Sequence, residues 1–167
     1  PHIAIGELFL GKYNGPEADA VLKEVLQRNP NHPRALLDLA RAMEFNGTVG
    51  LMDQVDLALE QNENLVEARV FKARLLMKVE DHEEARSELR KALDVNPTSL
   101  EALSVFAASH YLRGETEEYE EIRDQVSRLT PNYAELYNDI ADLSEQSRKY
   151  FEATLVAEEA IATDPLS

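Results

Sequence analysis

Prolines set a period in this chain. Pro97, Pro131 and Pro165 follow one another at intervals of 34 residues, and Pro30 stands 67 before Pro97, one period of 33 and one of 34. Glu63 takes the place of the missing proline. Alanines keep the same interval independently: Ala73, Ala107 and Ala141 are 34 apart, preceded by Ala40, and Ala58, Ala92 and Ala160 lie 34 and 68 apart with Val126 in the gap. A fixed interval between about 20 and 50 residues means one supersecondary unit used repeatedly, each copy burying its apolar face against its neighbours. That excludes most single-core folds.

The cleanest copy runs from Glu67 to Pro97. It reads as two amphipathic helices with a turn near Glu80–Asp81, closed by Asn96-Pro97, since proline has no N–H to donate and disfavours helical geometry just before it. Six glycines, seven prolines and abundant Ala, Leu and Glu favour helix throughout. With 44% apolar residues a packed core is expected. The pattern predicts helices over 2–11, 16–28, 33–46, 49–61, 65–79, 82–95, 99–113, 116–129, 132–146 and 149–163. Pro16 and Pro33 suit first helical positions. Thr98 and Glu101 form a capping box, and Asp81 with Glu84 imitates one.

Here the residues resemble the tetratricopeptide-repeat family. The family pattern has a small residue midway along a first helix, then a turn, then a second helix with two alanines ending in Asp-Pro or Asn-Pro. Ala73, Ala85, Leu89, Ala92 and Asn96-Pro97 supply it in the central copy. Ala141, Tyr150, Ala153, Ala157, Ala160 and Asp164-Pro165 supply it in the last, and Gly114 fits the turn glycine of the fourth. The resemblance implies an all-α fold, a right-handed α-solenoid of five stacked helix-turn-helix repeats forming one array over 1–167. The repeats are approximately 1–32, 33–65, 66–99, 100–133 and 134–167. Some positions depart from the pattern: Arg69 replaces a large apolar residue, Lys72 an apolar one, and Tyr119 and Arg123 the usual alanine and apolar residue. Tyr119, Ile122, Val126 and Leu129 still make a helical stripe.

Several chemistries are disfavoured. The net charge of −15 opposes nucleic acid and anionic lipid, which need a basic footprint, and points to basic or apolar partners. There is no cysteine, so neither disulfides nor thiolate chemistry arise. His82-Glu-Glu-Ala-Arg86 lacks the second histidine of a zinc-protease helix. His110 stands where the family places an aromatic and is expected to pack between helices. Adjacent carboxylates such as Glu83/Glu84, Glu117/Glu118 and Glu158/Glu159 lie on exposed-looking faces and do not converge as acid–base pairs must. No cofactor or metal is expected, and the chain reads as a non-enzyme. No apolar run reaches the roughly 18–20 residues of a membrane span. The chain opens at Pro1 inside a helical segment and is expected to be a piece of a longer protein. Cytoplasm and bacterial periplasm fit equally well.

The remaining feature is a surface. In the family the first helix of each repeat lines the concave groove where peptides bind. The residues expected there are Arg34, Leu37 and Arg41 in the second repeat and Val70, Phe71, Arg74, Met77 and Lys78 in the third. Tyr111 joins them in the fourth. The arginines would pair with acidic groups of a peptide or partner protein, and Val70, Phe71, Met77 and Tyr111 would supply apolar contact, as interface hot spots do. Two other expectations stand beside this. The repeats resemble arrays that precede metallopeptidase-like domains in bacterial proteins, which implies a non-catalytic region of a larger enzyme. An end helix carrying Phe151, Leu155, Val156 and Ile161 without a polar cap implies end-to-end self-association.

Overall fold

The structure, a computed structural model, describes residues 2–146. The described residues form helices and no strand: α1 (His2–Gly11), α2 (Gly15–Arg28), α3 (Pro33–Phe45), α4 (Leu51–Gln61), α5 (Val66–Lys78), α6 (His82–Val95), α7 (Leu100–Arg113), α8 (Thr116–Leu129) and α9 (Glu135–Gln146). The fold is all-α, built from helix-turn-helix repeats. The expected helix over 149–163, with the apolar end face that would self-associate, lies outside the described residues.

The period is written in the backbone. Helices α2, α4, α6 and α8 stop at the same place in each repeat: the cap N–H of Asn29, Asn62, Asn96 and Thr130 donates to the carbonyl of Val25, Ala58, Ala92 and Val126. The turn inside each hairpin repeats as well. Tyr13, Gly47, Glu80 and Gly114 all adopt left-handed backbone, at φ 55, 65, 63 and 73°. Glycine takes that geometry without a steric penalty; tyrosine and glutamate do not.

Starts are capped locally. The Asp81 carboxylate accepts from the Glu84 N–H, and the His32 ring accepts from the Ala35 N–H. Between α6 and α7 the expected cap is displaced by one residue. Ser99, not Thr98, accepts from the Ala102 N–H, because the Thr98 N–H and hydroxyl both donate to Asn96 Oδ1. Helix α9 begins at Glu135 instead of 132, since Asn132 sits in left-handed backbone at φ 62°. Gly50, at φ 89°, likewise delays α4 to Leu51.

The helices divide into two compact units, one reaching to Ala68 and one starting at Arg69. In the first, α1 packs on α2 and α3, and α3 also meets α2 and α4. Its core gathers Ala18, Leu22, Ala35, Leu39 and Ala42, with Phe9, Leu10, Val25 and Met43 packed around them. In the second, α7 is the hub, in contact with α6, α8 and α9. Ala85, Ala92, Ala102, Ala107 and Ala108 are fully buried, so small side chains lie where helices cross and let the axes approach. Arg69, off the family pattern, meets Glu88 with Nη1 2.6 Å from Oε2, and Lys91 bonds the other oxygen at 2.7 Å. Burial would push Glu88 up, but the bonds from Lys91 and Arg69 hold it below its ordinary value.

Candidate interaction surface

Helix α3 presents Arg34, Asp38 and Arg41 one turn apart, so all three fall on one face. Asp38 is fully buried. Arg41 Nη1 donates to its Oδ1 at 3.3 Å, while Arg34 Nε lies 3.5 Å from its Oδ2, an attraction without a hydrogen bond. Burial pushes the Asp38 carboxyl up; the two arginines only partly offset it, and Glu7 adds to the rise. Arg34 also reaches both ways, donating from Nε to Glu7 of α1 at 3.1 Å and from Nη1 to Glu67 of α5 at 3.0 Å. Three successive first helices share one guanidinium.

In the second unit Arg74 Nη1 lies 2.7 Å from Asp139 Oδ1 on α9. Asp139 is nearly buried, and burial raises its carboxyl. Arg74 opposes that rise, but the negative fields of Glu101 and Asp142 reinforce it. Two of these carboxylates, Asp139 and Glu101, also act on Tyr133, whose hydroxyl burial pushes up, with Glu135 pushing the same way. The carboxylate that answers Arg74 therefore lies in the field of further acids.

The apolar residues expected on this surface are elsewhere. Leu37, Val70, Phe71 and Met77 are buried in the core, so the sequence expectation that Val70, Phe71 and Met77 offer apolar contact to a ligand is corrected. A first helix such as α3 or α7 is covered by three neighbours and keeps only a narrow strip for solvent. Residues one step round from the arginines fall into the seams between helices. Arg34 and Arg41 remain half-exposed on α3; on α5 Arg74 is half-exposed and Lys78 is exposed at the end of the helix. Tyr111 is half-buried, its ring edge-on to Tyr119 with centroids 5.2 Å apart.

A second polar cluster was not expected from sequence. Arg86, 5% exposed, donates to the Ser109 carbonyl at 2.9 Å and grips both oxygens of Glu115. His110 Nδ1 is 2.7 Å from Glu115 Oε2, and its ring also meets Phe106 of the same helix edge-on. The sequence singles out one member of this cluster, His110 at a position where an aromatic is usual, and offers no local rule that joins it to Arg86 or Glu115. Among the described residues no group of histidines and carboxylates is placed to hold a metal ion. No described helix is long and apolar enough to cross a membrane.

The family model of the tetratricopeptide repeat matches residues 66–99, the interval from α5 through the Asn96-Pro97 stop. Those residues are a tetratricopeptide repeat. Solved structures extend the tetratricopeptide-repeat fold over the chain. TTC0263, a tetratricopeptide-repeat protein of Thermus thermophilus, is similar at a TM-score of 0.76 and 19% identity, over 99% of this chain and 91% of that one. Pseudomonas aeruginosa pilF is similar at 0.75 and 19%, over 95% and 74%. MamA of Desulfovibrio magneticus is similar at 0.68 and 17%, over 98% and 93%. No curated protein matches the chain. Tetratricopeptide repeats are in general non-catalytic scaffolds that mediate contacts between proteins.

Proposed function

We propose that this chain is a protein-interaction scaffold whose first-helix faces bind a partner polypeptide carrying basic groups. The observation that carries the reading is charge: Arg74 is matched by a nearly buried Asp139 and outnumbered by Glu101 and Asp142. Arg34, likewise, stands among Glu7, Asp38 and Glu67. A guanidinium held by carboxylates from its own chain is a poor receptor for a further acid, because the incoming anion meets like charge. The arginines then act as organisers. They hold the carboxylates in place, and the unmatched acids face the partner. This reverses the charge expected of the ligand from the arginine row alone, and it agrees with a net charge of −15.

The test is a peptide array of graded charge, probed with the chain and with its Glu101→Gln/Asp142→Asn and Arg41→Glu/Arg74→Glu variants. Basic peptides should be retained, and loss of the two acids should weaken them several-fold. Retention of acidic peptides that are then lost on the double arginine reversal would overturn the reading.

A further inference from the structure

A small cavity of about 200 Å³ opens where α7 turns into α8, lined by Tyr111, Gly114, Glu115, Thr116, Tyr119 and Glu120. Tyr111 ends one helix and Tyr119 begins the next. Their rings meet at 66°, so they form two walls of a corner. Gly114 lines the corner without a side chain, and the space beside its Cα is open, with no atom within 4 Å of where a Cβ would stand. The volume is well below the roughly 300–1,000 Å³ of sites for drug-sized ligands and suits one side chain.

The chemistry of the walls selects the charge of that side chain. Aromatic faces attract cations through the ring quadrupole. Glu120 is exposed at the mouth, and Glu117, Glu118 and Glu121 share its helix turn. Glu115 is committed to Arg86, His110 and Arg113 at the back of the corner, which fixes the wall; Glu120, which also lies in the field of Arg123, is the carboxylate on the exposed side. The chain itself supplies an example of the contact. Arg123 Cζ lies 5.9 Å from the centroid of the Tyr119 ring, its own charge answered by Asp124 at 3.0 Å.

We propose that this corner receives one arginine side chain of a partner protein, its guanidinium against the tyrosines and its N–H groups on Glu120. A planar guanidinium both stacks on aromatic rings and bonds a carboxylate by two prongs, which an ammonium cannot do. Of the residues expected along the first-helix groove only Tyr111 lines this corner, and the corner needs no ligand at Glu101 or Asp142.

The probe is acetyl-arginine-methylamide, titrated into the isotope-labelled chain and followed by amide shifts. The citrulline analogue, of the same shape and without charge, serves as control. The arginine compound should shift the Gly114, Thr116 and Glu120 amides with millimolar affinity. The citrulline analogue should not, and Glu120→Gln, an exposed substitution, should weaken the binding at least several-fold. Equal shifts from citrulline, an unchanged affinity in Glu120→Gln, or no shift at these amides would each overturn the proposal. Shifts confined to Glu101 and Asp142 would do so as well, while leaving the first-helix reading standing.

Discussion

Arg86 and Glu115 meet in a two-pronged ion pair, Nη2 2.7 Å from Oε2 and Nη1 3.3 Å from Oε1. It fastens the second helix of one repeat to the turn of the next. The guanidinium is almost wholly buried, so its charge depends on this partner, and removing one member of such a pair costs more than the pair itself contributes.

Glu115→Gln should therefore destabilise the chain at neutral pH by about 2 kcal/mol, the scale of a hydrogen bond to a charged group. The bond from Arg86 holds the Glu115 carboxyl down to about 2, against an ordinary value of 4.5, with burial opposing and His110 helping. A depressed acid stabilises the fold fully above its unfolded value and loses that contribution as pH falls through its folded one. The gap between wild type and Glu115→Gln in urea unfolding should close between pH 4.5 and about 2. A gap independent of pH would show that the pair is not the cause.

His110 acts in a higher window. Burial lowers its pKa below 6.5 although the Glu115 contact pulls the other way. The unfolded chain takes up a proton there before the folded one does, so stability should fall as pH drops below 6.5. His110→Phe keeps the ring against Phe106 and removes the titration. Its unfolding midpoint should decline less than that of wild type between pH 7 and 5.

The left-handed turn residues offer a pair of opposite outcomes. Glu80 holds φ 63° without being glycine, and Gly114 holds φ 73°. Glu80→Gly should raise stability by up to about 1 kcal/mol, and Gly114→Ala should lower it by about 1–2 kcal/mol. Thermal melts of the two variants decide it; a shift of Glu80→Gly downward would mean that the glutamate side chain outweighs the strain.

Ala92 tests the packing. It is fully buried on α6, and leucine there must push helices apart, at about 1–3 kcal/mol. An unchanged melting midpoint in Ala92→Leu would contradict the repeat register.

Much of the fold was legible because prolines and alanines mark stops and crossings, and these depend on local backbone and side-chain size. The helix starts moved where a turn intervened, as at Ser99 and Asn132, because the choice between adjacent caps depends on a competing bond such as Thr98 to Asn96. The surface was read less well. The spacing of Arg34, Asp38 and Arg41 was visible in the sequence, yet that Asp38 would be buried between two arginines was not. Spacing places Val70, Arg74 and Met77 on one strip, but only neighbouring helices decide which edge of the strip is covered. Arg74 and Asp139 belong to different repeats, and no local rule joins them.

In an array whose repeats touch mainly their neighbours, ends open and close without disturbing distant copies. The Arg74–Asp139 contact breaks that independence, since it runs from α5 to α9, past α7. When α9 frays, the guanidinium on α5 loses its counter-ion in the same event. Amide hydrogen exchange in these two helices should consequently be correlated, so that opening of α9 is felt on α5 two helices of the same kind away.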